Sequence, residues 1–123
     1  MDIEYITNAT SGSNPGDGGK SMQYTNQATN CMPFDETHDT APAPTDAQSK
    51  AHEYRIDWIA GKSMYYLDGV MQETFKTNVP TVAGSWIWNN WANGNPGWSG
   101  GPPTTDNIFK ISSIVMYYNT SSS

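Results

Sequence analysis

The sequence predicts an all-β domain, a β-sandwich or jelly roll, and three observations lead to this fold class. The chain has 123 residues, enough for one domain and not two. Eleven glycines and eight prolines stand beside 12% aromatic residues, which is typical of strands joined by turns. No segment has a helical period over three turns, whereas short alternating segments recur. We expect one domain over residues 1–118 and a disordered tail at 119–123.

In the N-terminal half, weak alternation of side-chain character and turn-forming residues predict the positions of strands and loops. Residues 1–7 are expected to form a strand, because acidic and apolar side chains alternate there. A loop rich in Gly, Ser, Asn and Asp follows at 8–19, and residues 21–27 form a weaker second strand. Residues 28–50 are polar, contain several prolines and lack periodicity. We therefore expect a long surface loop there, with room for one short strand.

Alternation becomes clear in the middle of the chain. Residues 53–58 place a tyrosine, an isoleucine and a tryptophan on one face of a strand. Asp68-Gly69 is a strong signal for a two-residue hairpin, and the apolar segments on either side of it are its strands. These two hairpin strands are expected at residues 63–67 and 70–75.

Two further strand-like segments lie in the last third of the chain. Residues 85–91 carry apolar or aromatic side chains on both faces, as a doubly covered strand would. A Gly-, Pro- and Asn-rich loop at 92–105 carries Trp98. Residues 108–118 are expected to form the closing strand.

Charge and composition exclude several classes of partner. Six basic and twelve acidic residues give a net charge of −6, so the chain lacks the basic surface that nucleic acids and anionic membranes attract. No apolar run is long enough to span a membrane, and the first residues do not have the pattern of a signal peptide. Cys31 is the only cysteine, which excludes an intrachain disulfide. We expect no nucleic-acid partner and no membrane partner.

Three motif-like segments have weak functional signals. The acidic cluster with a histidine at residues 35–39 has no metal-site spacing, so a solvated loop is favoured and no metal is expected. Residues 14–21 end like a phosphate-binding loop, but Asn14 stands where that motif needs glycine. We expect no cofactor. Asn8 and Asn119 begin glycosylation sequons, which agree with a secreted parent protein but are common by chance.

Three segments after residue 50 follow one another in a recognisable order. They are the strand pair and hairpin at 52–69, the sequence Trp-Asn-Asn-Trp at 88–91, and the loop Pro-Gly-Trp-Ser-Gly-Gly-Pro-Pro at 96–103. In this order they resemble the C-terminal half of glycoside hydrolase family 16, especially its fungal members. The resemblance implies a partial concanavalin A-like jelly roll. It also implies retaining hydrolysis of β-glucans with β-1,3 or mixed β-1,3/1,4 linkages.

The first residues are similar to the catalytic motif of that family, Glu-x-Asp-x-Glu. The chain opens Met1-Asp2-Ile3-Glu4, so the resemblance implies that Glu4 is the acid/base and Asp2 its helper. A strand period of two puts such acids on one face. Retaining hydrolysis needs two carboxyls about 5–5.5 Å apart. The nucleophile of the family motif would lie one residue before Met1, and we therefore expect impaired catalysis in this chain.

The resemblance also implies a set of glucan contacts. Asn89 and Trp91 would face the cleft, and Trp98 would stack on a sugar ring from its loop. Packing in the core is the alternative for the strand tryptophans. Tyr24 and Gln27 follow on the strand after the motif, where a place in the cleft and a structural role are equally compatible with the sequence.

Several functions remain open at this stage. One is a β-glucan hydrolase, and the second is a non-catalytic, lectin-like β-glucan-binding module or an inactive fragment. A structural protein without a sugar role is the third. Half a jelly roll leaves strand edges unpaired, so we expect a truncated domain. Self-association with another copy through those edges and closure as a smaller sandwich are the alternatives. The resemblance implies an extracellular or cell-wall location.

Overall fold

The computed structural model describes residues 1–8, 21–30, 32 and 35–119, and every regular element in these residues is a β-strand. The predictions for Cys31, for most of the loop at 8–19 and for the tail beyond Asn119 concern residues outside this part. The six strands are β1 (Asp2–Ile6), β2 (Ser21–Asn26), β3 (Thr37–Pro42), β4 (Tyr54–Ile59), β5 (Lys62–Leu67) and β6 (Val70–Phe75).

The strands form two antiparallel sheets of three, in the orders β1-β2-β3 and β4-β5-β6. The all-β prediction is confirmed, and the two sheets are consistent with a partial β-sandwich. β3 is the short strand expected within the polar middle of the chain. In the described residues, no helix is long and apolar enough to cross a membrane.

The hairpin between β5 and β6 forms as predicted. Asp68 has φ 50° and Gly69 has φ 77°, so both central residues are left-handed. A type I′ turn requires this conformation at both positions, and its twist matches that of the flanking strands. Leu67 and Val70 pair directly across the turn.

The two sheets pack on each other through a small aromatic core. Met22 and Tyr24 of β2 cluster with Tyr65 of β5 and Phe75 of β6. The ring centroids of Tyr24 and Tyr65 are 5.6 Å apart, and those of Tyr65 and Phe75 are 5.5 Å apart. These tilted contacts are the arrangement that aromatic quadrupoles favour.

A buried asparagine ties the sheets together at the edge of this core. The side-chain oxygen of Asn26 accepts hydrogen bonds from the Ser63 hydroxyl at 2.9 Å and the Tyr65 hydroxyl at 2.6 Å. Its amide nitrogen donates to the Thr77 carbonyl at 2.8 Å. Since Asn26 is fully buried, these bonds replace the water that its amide loses on folding. They fix β2 relative to the second sheet.

The strands expected at residues 85–91 and 108–118 are not formed, and these two predictions are wrong. A β-strand needs a neighbour for its backbone hydrogen bonds. In the described chain neither segment belongs to a sheet. Their side chains stay exposed, including Trp86 at 47%, Ile87 at 76% and Val115 at 74%. The core alternative for the tryptophans of 85–91 therefore fails as well.

Candidate active site

The first sheet presents a polar face on the side away from the aromatic core. Glu4 of β1 pairs with Gln23 of β2, Asp2 pairs with Thr25, and Thr25 pairs in turn with His38 of β3. Residues opposite each other in antiparallel strands share a face. The alternate residues of β1 pack against the core. Alternation thus separates an apolar inner face from an outer face of carboxyl, amide, hydroxyl and imidazole groups.

A pocket of about 250 Å³ lies on this polar face. Three residues predicted from the sequence meet in it: Glu4, Gln27 and Trp98. The complete lining consists of Glu4, Gln23, Thr25, Gln27, Glu36, His38 and Trp98.

Asp2 and Glu4 form an acidic pair at the start of β1, and the pKa of Glu4 is raised. Burial raises the pKa of Glu4 above its ordinary value, and the neighbouring charge of Asp2 raises it further. One oxygen of Asp2 accepts a hydrogen bond of 2.7 Å from the side-chain amide of Gln27. The other oxygen is buried and has no hydrogen-bond partner among the described residues. Glu4 therefore keeps its proton to a higher pH than an ordinary glutamate, as a general acid requires.

Trp98 reaches the pocket from a loop that is shaped by its own backbone. The backbone nitrogens of Trp98 and Gly100 both donate to the Asn95 carbonyl, at 3.0 and 2.9 Å. The backbone nitrogen of Gly97 donates to the Asn95 side-chain oxygen at 2.8 Å. Gly100 has φ 78°, a left-handed conformation that suits glycine. The Gly- and Pro-rich sequence thus forms a tight turn that carries an aromatic side chain.

The other predicted contact residues lie elsewhere. Tyr24 is fully buried in the core, on the face of β2 opposite the pocket, so it is not a cleft residue. Asn89 and Trp91 are exposed and do not line the pocket. Both belong to the segment that lacks a strand partner, and without a sheet nothing fixes their side chains towards Glu4.

Glu36 and His38 line the pocket although the sequence analysis assigned them to a solvated loop. The His38 Nδ1 and Glu36 Oε1 atoms are 4.0 Å apart. The alternation Glu-x-His-x-Thr over residues 36–40 was a usable signal. It was missed because both faces of β3 are polar, which hides a strand. Among the described residues, no group of three or more His, Cys, Asp or Glu side chains is arranged to hold a metal ion.

A match to a protein-family model shows the family of the chain. Residues 1–108 match the model described as Glycosyl hydrolases family 16, and the chain belongs to that family. Its polar-faced sheet, with an acidic strand beside an aromatic loop, is the candidate active site of the chain.

Two similar proteins carry a more specific name. A protein named beta-glucanase from Paenibacillus polymyxa is 39% identical over 46 residues, which are 37% of this chain and 19% of that protein. A beta-glucanase from Paenibacillus macerans is 37% identical over a segment with the same shares. The aligned part thus spans about a fifth of each relative. No solved structure matches the chain.

These comparisons confirm the resemblance to family 16. They do not bear on the likeness to fungal members or on the placement as a C-terminal half, which stay predictions. Both relatives are bacterial.

Proposed function

We propose that this chain supplies the acid/base side of a β-glucan-hydrolysing site, with Glu4 as the proton donor. The observation that carries the proposal is the shared pocket of Glu4, Gln27 and Trp98. A carboxyl with a raised pKa there stands beside an aromatic ring and amide groups. Membership of family 16 and the names of the two relatives support β-glucan as the substrate class.

In the proposed reaction, Glu4 gives its proton to the glycosidic oxygen as the bond to the anomeric carbon breaks. The oxygen of a water molecule then bonds to the anomeric carbon, and the carboxylate of Glu4 takes a proton from that water, which restores the acid and completes hydrolysis. Asp2 favours the protonated state of Glu4 before the reaction, because two nearby negative charges repel each other. Its own position is held by Gln27.

The pocket suits one sugar ring of a polymer. Its volume of about 250 Å³ is below the roughly 300–1,000 Å³ of sites for drug-sized ligands. Trp98 offers a face for the C–H side of a ring, while Gln23, Gln27 and His38 offer hydrogen-bond partners for hydroxyls. We propose glucans with β-1,3 or mixed β-1,3/1,4 linkages as ligands. Because such polymers are cell-wall materials, we propose an extracellular or cell-wall location.

A non-catalytic β-glucan-binding module is the second candidate, and one observation favours it. The two carboxyls that line the pocket belong to Glu4 on β1 and to Glu36, which directly precedes β3. Glu4 pairs with Gln23, and Gln23 pairs with Thr40, which is four residues after Glu36. The two backbones are therefore about 9–10 Å apart across the sheet and about 13 Å apart along it. Retaining hydrolysis needs carboxyls about 5–5.5 Å apart. The groups for binding are thus present in the described residues without a retaining pair.

The Glu4→Gln substitution separates the two functions. The chain is incubated with laminarin or mixed-linkage β-glucan, and reducing-end release and retention on insoluble polymer are recorded. General acid–base catalysis is typically worth about 10²–10⁴-fold in rate. We expect E4Q to lower release by that order and to leave retention on the polymer nearly unchanged. Glu53→Gln, an exposed glutamate outside the pocket, is the matched control.

Near-UV circular dichroism on the same samples reports folding. Release that persists in E4Q at the level of E53Q would refute Glu4 as the acid. Retention without release in the unsubstituted chain would favour the binding module. A folded chain with neither property would contradict both functions.

A further inference from the structure

Asn8 joins the acidic strand to the loop that carries Trp98. It follows β1 by two residues, and its side-chain nitrogen donates hydrogen bonds to the carbonyls of Pro96 at 2.9 Å and Trp98 at 2.8 Å. A side-chain amide nitrogen has two hydrogens, and two carbonyls accept from it here. The sequence marks Asn8 only as the start of a glycosylation sequon. In the folded chain its amide is engaged by the loop.

The hydrogen bonds that shape the loop itself are local. Asn95 accepts from the backbone of Trp98 and Gly100, and the Ser99 hydroxyl bonds the Asn93 side chain at 2.7 Å. Such bonds determine the form of the turn but not its place on the sheet. The bonds from Asn8 span about ninety positions of sequence, and they fix that place.

The backbone at the end of the loop packs closely against the Asn8 side chain. A Cβ added to Gly100 would lie 3.7 Å from the Cγ and Nδ2 atoms of Asn8. Gly100 also has φ 78°, which other residues rarely adopt. The backbone of the loop therefore turns directly against the amide that holds it.

We propose that Asn8 is a positioning residue that holds Trp98 at the Glu4 pocket and so sets the affinity for a sugar ring. That the ligand is a β-glucan rests on the proposed function, whereas the contact between Asn8 and the loop rests on the structure alone. Asn8 touches the loop and not the sugar. Loss of its two donors releases the loop from the sheet and takes the stacking surface away from the pocket.

Asn8→Asp tests the contact with a nearly isosteric side chain. A carboxylate has no hydrogen to donate, and it would face two carbonyl oxygens. Asn119→Asp makes the same change at an exposed asparagine and is the matched control. The chain is labelled with fluorotryptophan, and the Trp98 resonance is assigned by comparison with Trp98→Phe. We expect N8D to shift or broaden this resonance, while N119D leaves it in place.

Affinity for laminarin is measured on the same variants. We expect N8D and Trp98→Ala each to weaken binding roughly 2- to 10-fold, the worth of one aromatic contact. Because both changes act through the same side chain, the double variant N8D/W98A should lose little more than either one. Additive losses would contradict positioning through Trp98.

The two proposals fail in different ways. If W98A leaves laminarin binding unchanged, the stacking role under the proposed function is wrong, and the Trp98 resonance still tests the contact. If that resonance and the affinity are the same in N8D as in the unsubstituted chain, the positioning role is overturned.

Asn8→Ala, which removes the donors without adding charge, replaces N8D if the latter fails to fold. The unsubstituted chain gives an independent measurement. We expect slow hydrogen exchange at the Asn8 side-chain amide, and fast exchange there would also overturn the inference.

Discussion

At the scale of single residues, the pocket depends on two acids of unequal role on one strand face. Glu4 lines the pocket, while Asp2 is held by Gln27 and acts on Glu4 by charge. Burial is the larger cause of the raised Glu4 pKa, and the Asp2 charge is the smaller. The raised pKa of Glu4 also lowers the stability of the fold at higher pH. Ionisation of Glu4 destabilises the folded state as the pH rises from 4.5 through the folded pKa.

Asp2→Asn separates the two causes. We expect the pKa of Glu4 to fall towards its ordinary value without reaching it, because burial is unchanged. Asparagine keeps an oxygen that accepts from Gln27, so the local geometry is preserved. The measurement is a carboxyl-carbon NMR titration of Glu4. Asp57→Asn, in the second sheet, should leave the titration as it is. A Glu4 titration that D2N does not move would exclude charge coupling between the two acids.

At the scale of elements, what the sequence predicts depends on whether the information is local. Alternation and the Asp68-Gly69 signal identify β4, β5 and β6, and the turn has the expected left-handed residues. β3 is polar on both faces, so its alternation carries no hydrophobic signal. The segments at 85–91 and 108–118 have strand sequences, but pairing is a property of neighbours and is not encoded in the segment itself.

The residues of the candidate site, too, can be predicted only where their signal is local in the sequence. Glu4, Gln27 and Trp98 were found because a motif, its next strand and a Gly/Pro loop are each visible in the sequence. Glu36 and His38 were missed because they enter the pocket through β3, and only the pairing of β2 with β3 brings them there.

His52 links the turn of the β5-β6 hairpin to the segment that precedes β4. The Nδ1 atom of His52 is 2.7 Å from the Asp68 Oδ2 atom, and its Nε2 atom is 3.2 Å from the Asp46 Oδ1 atom. The hydrogen bond with Asp68 raises the pKa of His52, and the same bond lowers the pKa of Asp68. The backbone nitrogen of Glu53 also donates to Asp68 at 2.9 Å.

This contact predicts a pH dependence of stability. The raised pKa of His52 means that its contribution is complete below the ordinary value of 6.5 and is lost as the pH rises through the folded pKa. The lowered pKa of Asp68 means that its contribution is present above 3.8 and is lost as the pH falls through the folded pKa. Thermal unfolding between these two values should therefore occur at higher temperature than above neutrality.

His52→Gln tests this dependence, since glutamine keeps hydrogen-bonding capacity but does not titrate. We expect the difference between midpoints at slightly acid and slightly alkaline pH to shrink in H52Q. His38→Gln, at the pocket and on the other sheet, is the control that should retain the difference. An unchanged difference in H52Q would assign the pH dependence to other groups.

At the scale of the whole molecule, the two packed sheets are followed by a long segment that carries many apolar side chains and, in the described residues, has no sheet of its own. The core holds Met22, Tyr24, Tyr65 and Phe75, whereas the chain beyond Pro80 exposes many large apolar side chains. Exposed apolar area of this kind, next to open strand edges, favours association. A net charge of −6 opposes it only at low ionic strength, because salt screens the repulsion between copies.

The chain alone should therefore self-associate, and the segment beyond Pro80 should be the cause. In sedimentation velocity at moderate salt, we expect a weight-average mass above the monomer's 13.5 kDa that falls on dilution. The double variant Ile87→Ser/Val115→Ser removes two of its most exposed aliphatic side chains, at 76% and 74%, and should shift the distribution to monomer. Val70→Ser is the control, because it removes an aliphatic side chain that is 62% exposed but lies in the β5-β6 hairpin, and it should have little effect on the mass distribution.

A chain that stays monomeric at every concentration would show that this apolar surface is covered within a single copy. An equal effect of V70S would place the contact on the second sheet and not on the segment beyond Pro80.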